Sequence, residues 1–183
     1  MHGIVFSQLQ KYVETKKGSV GWNALLKHAR LESRVYFVVG EYPDDEMEAL
    51  VLAISKMSGQ PRAVVLEDFG VFIAPALTKM YSHLIPAHWK TLDVIEKTEE
   101  TIHNVVRAQN PGAKPPVLHT IRKSKDEVVL IYGSPRKLCA LAIGIAKGVA
   151  KRFNQTIVVA QTKCMHNGAL HCEIVFHKGM DLS

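Results

Sequence analysis

Apolar side chains recur every three or four residues through the first half of the chain. Ile4, Val5, Leu9, Tyr12 and Val13 form one stripe, Trp22, Leu25, Leu26 and Ala29 a second, and Met47, Leu50, Val51 and Ile54 a third. That spacing places each set on one face of an α-helix. Gly18, Gly40 and the pair Gly59 and Pro61 punctuate the stripes. Residues 62–80 continue the helical pattern and predict a helix kinked near Pro75. A longer helix is predicted over residues 91–108, stopped by NPGAKPP, where Asn110, Pro111, Gly112 and a double proline forbid continuation.

Beyond that stop the apolar period shortens from about 3.6 residues to about 2. VLHTIRK and EVVLIYG, separated by the polar SKD, read as a hairpin; a helix beginning near Pro135 follows; QTIVVAQTK and HCEIVFHK make a second pair of strands. The second half therefore predicts β-β-α-β-β, a helix on a four-stranded antiparallel sheet, and the whole an α+β chain with a helical N-terminal part.

Composition narrows the function classes. The 183 residues suffice for one well-buried core, and 47% hydrophobic with 22% charged residues is an ordinary globular composition. No apolar run reaches the roughly 18 to 20 residues of a membrane span, and the opening MHGIVFSQLQKYVE has neither a basic n-region nor a cleavage site. A cytoplasmic protein with no membrane partner is expected. The net charge of +6 is spread along the chain in ones and twos. This scatter suits an anionic ligand or acidic partner at least as well as nucleic acid, which is not expected as a partner. Three cysteines without a CxxC pair do not make a disulfide framework and fit a reducing compartment.

The stretch IYGSPRKLCALAIGIAKGVAKRF, residues 131–153, carries the first candidate chemistry. Tyr132 falls at the end of a strand, Ser134 where a helix N-cap is expected, Pro135 at the first helical position and Arg136 in the first turn. A helix start with a guanidinium and two hydroxyls is suited to a carboxylate or phosphate. The same residues also read as ordinary capping with a solvated arginine, so the residues alone leave both readings open. His103 sits at the edge of the apolar face of the 91–108 helix, beside Leu92 and Val106, where a ring nitrogen can enter an apolar cavity. It is one of nine histidines, and the pattern does not select it.

Taken together, the N-terminal HGIVF, GEYPDDE, Phe69-Gly70, IHNVVRAQNPGAKPP, the Y-x-S-x-R element followed by LCALAIGIAKG, and the closing CMHNGALHC resemble the H-NOX (haem nitric oxide/oxygen binding) family, of the bacterial stand-alone sensor type. The match runs over almost the whole chain in the family's order. The resemblance implies one H-NOX domain, residues 1–183, with a distal helical subdomain at 1–60, a proximal α/β subdomain at 61–183 and haem b between them. It implies that His103 is the proximal iron ligand, that Tyr132, Ser134 and Arg136 hold the haem propionates, and that Pro116 packs against the porphyrin and bends it. Pro116 reads equally as a plain helix-to-strand linker. On the distal side Leu9, Leu77 and Leu141 fall where oxygen-binding relatives carry hydrogen-bonding and bulky aromatic residues, with Val5 and Ile145 completing an apolar lining. A pocket without donors favours NO over O2.

In the same way Cys139, Cys164 and Cys172 coincide with three of four zinc ligands found in some bacterial relatives. The fourth, a histidine there, is Gln161 here, a poor ligand; His166 or His171 is the candidate substitute, and reduced packing cysteines are the alternative. The function implied is a non-enzymatic gas sensor that binds NO and CO. NO weakens the His103 bond and shifts the conformation, regulating a separate histidine kinase or cyclic-di-GMP enzyme, since 183 residues leave no room for such a domain. A competing reading is a zinc or thiol redox switch using the cysteine cluster. A third, an enzyme using Cys164 and His166, lacks a recognisable base and orienting carboxylate.

Overall fold

The computed structural model describes residues 1–31, 34–110 and 112–181; Pro111, one of the expected helix breakers, lies outside them. Helices α1 (Gly3–His28), α2 (Asp44–Ser58) and α3 (Arg62–Met80) form the first half. α1 is broken at Gly18, whose φ of 67° takes the left-handed side of the map that glycine enters without strain. Pro75 lies inside α3, as expected. The long helix predicted over 91–108 is three pieces: α4 (Thr91–Lys97), a π-helical turn at Glu99–His103, and α5 (Asn104–Gln109).

The second half is β1 (Val117–Ser124), β2 (Glu127–Gly133), α6 (Cys139–Arg152), β3 (Gln155–Lys163) and β4 (Cys172–Asp181), in the predicted β-β-α-β-β order. All pairings are antiparallel, in the spatial order β1-β2-β4-β3. Tyr132 stands opposite Leu118 on one side and Cys172 on the other.

α6 does not begin near Pro135. Residues 134–137 form a turn closed by the Lys137 N–H on the Ser134 carbonyl at 3.0 Å, and the helix starts at Cys139 with Leu138 as its N-cap residue. The physical reason is Lys137, whose φ of 49° is incompatible with continuing a right-handed helix. The Ser134 hydroxyl accepts the Arg136 N–H at 3.3 Å within this turn, so it caps a turn and not a helix.

α6 is buried on two faces. Leu141 joins the core of α1, α2 and α3, while Cys139, Ile143 and Ala146 join the core formed by the sheet and α4. The close approach of α3 and α6 depends on glycine: a Cβ at Gly70 would come within 2.5 Å of the Leu141 carbonyl oxygen, and one at Gly144 within 2.0 Å of the Glu67 carbonyl oxygen. α4 is tied to the sheet by the Thr91 hydroxyl on Gln155 at 2.8 Å, the Thr120 hydroxyl on the Glu96 carbonyl at 2.9 Å, and the Arg122–Asp93 ion pair at 2.6 Å. No described helix is long and apolar enough to cross a membrane.

Candidate functional site: an apolar cavity with a carboxylate-bound histidine and an arginine at its edge

A cavity of about 290 Å³ opens between α1, α3 and α6 on one side and α4, the π-turn, α5 and the 113–116 segment on the other. Its walls are mainly hydrocarbon, as expected of a site for a large apolar ligand. Of the residues expected to line such a site, Val5, His103, Pro116, Tyr132, Arg136, Leu141, Ile145 and Leu77 all do. Leu9 does not: it is fully buried in the core of the first three helices. Ser134 is not in the lining either, and acts through the turn below Arg136. Pro116 immediately precedes β1, so it is both linker and wall.

His103 ends the π-turn, whose bond runs from its own N–H to the Thr98 carbonyl at 2.9 Å. Such turns insert one residue into a helix and re-aim the side chains around it. The ring Nδ1 is 2.9 Å from Glu99 Oε2. A carboxylate accepts only, so Nδ1 carries the proton and Nε2 keeps the lone pair. Burial pushes the His103 pKa down, against the pull of Glu99 and of the nearby Pro116 carbonyl, so the neutral, ligating form is favoured. Burial would raise the Glu99 carboxyl, but hydrogen bonds from His103 and Arg107 outweigh it and hold it below its ordinary value.

At the edge, the Arg136 guanidinium bonds Asp44 Oδ2 at 3.2 Å and the Lys114 carbonyl, and its side chain is 14% exposed. The Tyr132 hydroxyl accepts the Leu138 N–H at 3.2 Å, and burial raises its pKa, so it is a neutral phenol. A planar cation at the rim of an apolar slot matches a flat ligand with carboxylates on one edge. Haem is such a ligand, and of the two lining histidines, His2 and His103, His103 has an Nδ1 committed to a carboxylate, which leaves its Nε2 as a candidate iron ligand. The residues present fit it.

Further polar residues line the cavity: His2, Thr78, Tyr81, Thr98 and Lys114. Thr78 and Thr98 donate to the Ala74 and Val94 carbonyls, at 2.9 and 2.6 Å. The Tyr81 hydroxyl has no hydrogen-bond partner among the described residues, and burial raises its pKa. Tyr81 lies one turn beyond Leu77 on the same helix face, a spacing that could have pointed to it.

The sulfurs of Cys139, Cys164 and Cys172 lie within 4.8 Å of one another. Among the described residues no histidine or carboxylate completes the group: His166 Nε2 is 2.9 Å from the Lys137 carbonyl, and Gln161 is exposed. Burial pushes the Cys172 thiol up to about 12. Burial also acts to raise Cys164, but hydrogen bonds from the His166 backbone and the other two cysteines bring it below its ordinary value.

The haem-NO-binding (HNOB) family model matches residues 2–161. The chain belongs to this family, whose H-NOX domains are haem-based gas sensors. The structure of an H-NOX protein from Shewanella oneidensis in the Fe(II)NO ligation state is similar to this one with a TM-score of 0.92 and 27% identity, over 98% of this chain and 100% of that one. Fe(II) unliganded H-NOX from K. algicida shares the fold, with a TM-score of 0.89 at 23% identity, over 100% and 99% of the two chains. Among curated proteins, soluble guanylate cyclase 89Db of Drosophila melanogaster is 23% identical over 84% of this chain. Soluble guanylate cyclase gcy-31 of Caenorhabditis elegans is 19% identical over 88% of it. The chain spans about a quarter of the length of these cyclases, 23% of each.

Proposed function

We propose that this chain is a nitric oxide sensor of the cytoplasm that carries haem b, binds NO and CO, has no catalytic chemistry, and regulates a separate histidine kinase or cyclic-di-GMP enzyme. One observation carries the reading: of the two histidines that line the apolar cavity, His2 and His103, His103 has its Nδ1 committed to a carboxylate, and the cavity's edge holds a guanidinium. Haem bound there would supply an iron atom with one open face for a diatomic gas. His103 would hold the iron, Arg136 and Tyr132 would hold the propionate edge, with Ser134 supporting the Arg136 turn, and Pro116 would press on the ring.

On this reading NO binding would weaken the hold of His103 on the haem. The helix of residues 91–109 would then relax against the rest, with residues 1–60 as the distal part and 61–183 as the proximal part. The Arg136–Asp44 ion pair spans that division and gives the movement a contact to break or remake. The test is to purify the protein, reduce it, and record its spectrum in air, under CO and under NO. A Soret band that moves with NO and CO, with no persistent oxygenated spectrum, is expected. A protein that is purified without haem and retains none after haem is added and the excess removed would sink the reading.

The cysteine cluster favours a second reading, a zinc or thiol redox switch, because three sulfurs from α6 and both ends of the β3–β4 connection meet. Three thiolates with one open position would suit zinc. Zinc content before and after peroxide, and partner control in a His103→Ala background, separate this reading from gas sensing.

A further inference from the structure

We infer that Glu99 is a positioning residue which sets how firmly His103 holds iron, and that Arg107 counterbalances it; the inference rests on the reading that His103 is the haem ligand. Glu99 stands at the first position of the π-turn that His103 ends. Its Oε2 accepts the ring Nδ1–H at 2.9 Å and the backbone N–H of Leu118, in β1, at 3.2 Å. Its Oε1 accepts from Arg107. The carboxylate is thus shared by a ring, a guanidinium and a strand, with its side chain 23% exposed.

Each partner has a consequence. The ring bond fixes the tautomer that leaves Nε2 for a metal, and a carboxylate acceptor makes the imidazole a stronger electron donor. A stronger donor favours ferric over ferrous iron and resists displacement. Arg107 draws charge from the same carboxylate and so moderates its effect on the ring. The Leu118 bond anchors the pair to the sheet, so His103 turns against a fixed point and not against a free side chain. The spacing E-x3-H-x3-R at residues 99, 103 and 107 puts the three groups on one side of the helix.

The experiment uses the full chain loaded with haem, and reads the iron–histidine stretch of the reduced protein by resonance Raman together with the midpoint potential. Glu99→Gln keeps the shape and removes the charge. It should lower the stretching frequency and weaken the preference for ferric iron about tenfold, which is about 59 mV towards positive potential for one electron. Glu99→Asp, which keeps the charge but shortens its reach, should move the stretch the same way by less. Arg107→Leu, at a residue 36% exposed, should move it upward because the carboxylate is freed for the ring. An unchanged stretch in haem-loaded Glu99→Gln, or an Arg107→Leu shift in the same direction as Glu99→Gln, overturns the inference. If Glu99→Gln fails to retain haem, the sign of the Arg107→Leu shift alone decides. A parent protein that holds haem without any iron–histidine band instead overturns the assignment of His103, an outcome separate from the others.

Discussion

The two walls of the cavity are built differently. The wall of α1, α3 and α6 offers Val5, Leu77, Leu141 and Ile145, and it rests on a dense core in which α3 and α6 meet through Gly70 and Gly144. The facing wall carries His103 on a segment with little burial. α4 buries Thr91, Leu92, Val94 and Ile95, but neither the π-turn nor α5 buries any residue. Hydrogen bonds around Glu99 hold that end in place instead. Segments with few buried apolar contacts open at lower free energy than the core. One wall is therefore suited to choosing a ligand by its rigid shape and scarcity of donors, and the other to moving when the hold proposed for His103 changes.

The largest effect is expected at His103. On the proposed reading, replacing it by Ala removes the nitrogen that holds the iron, and the purified protein should be almost free of haem, with imidazole in the growth medium restoring it. A native Soret spectrum without imidazole would assign the grip to another histidine. Acid should loosen the same grip. Burial sets the His103 pKa below its ordinary 6.5, so above that pH the neutral ring predominates and haem retention should be flat. Protonation competes with the iron only below it, at most about tenfold per pH unit. Haem transfer to an acceptor protein measured against pH checks this, and a fall in retention centred above 6.5 would contradict it.

A smaller effect is expected at the rim. Arg136→Ala removes a charge-assisted contact of about 1.5 to 3 kcal/mol, whereas Ser134→Ala removes a neutral one of about 1 kcal/mol that reaches the site only through the turn. Haem should leave the first variant roughly ten- to a hundredfold faster than the parent and the second only a few-fold faster. Equal rates would remove Arg136 from the clamp.

The two walls also differ in how far the sequence disclosed them. Periodicity placed the helices and all four strands, because apolar faces at a fixed spacing must be buried in any fold the chain adopts. It put His103 on the edge of its helix but could not separate a face covered by protein from one left for a ligand. Leu9, with the same spacing as Val5, therefore lies in the core and not in the cavity. The π-turn depends on a bond from His103 to Thr98 that no residue type announces, although the row Glu99, His103 and Arg107 was there to be read. The start of α6 was misplaced because Ser-Pro resembles a helix cap, while the left-handed Lys137 is fixed by its surroundings: the Tyr132 hydroxyl takes the next N–H and His166 meets its carbonyl. Cys139 meets Cys164 and Cys172, at the two ends of the β3–β4 connection, only because α6 packs on the sheet, and resemblance is the sole guide to the group.

The smallest expected effect tests the rigid wall most sharply. Tyr81, at the end of α3, brings a phenol to a cavity otherwise poor in available donors, and its raised pKa keeps it protonated. An O2 ligand depends on a donor to its outer atom more than NO or CO does, because it gathers more negative charge, and leaving that charge in an apolar space is costly. A neutral hydrogen bond from Tyr81 would contribute about 0.5 to 1.5 kcal/mol, or roughly two- to twelvefold in affinity. Leu77 and Leu141 stand on the same wall and offer no donor. If the wall selects by lacking donors, the Tyr81 hydroxyl does not reach the ligand, and Tyr81→Phe should leave the spectra in air, CO and NO unchanged. The outcome that defeats this is specific: a parent protein that keeps an oxygenated spectrum in air, and a Tyr81→Phe variant that loses it while still binding CO. The rigid wall would then carry a working donor, and the preference for NO would have to come from the mobile wall alone.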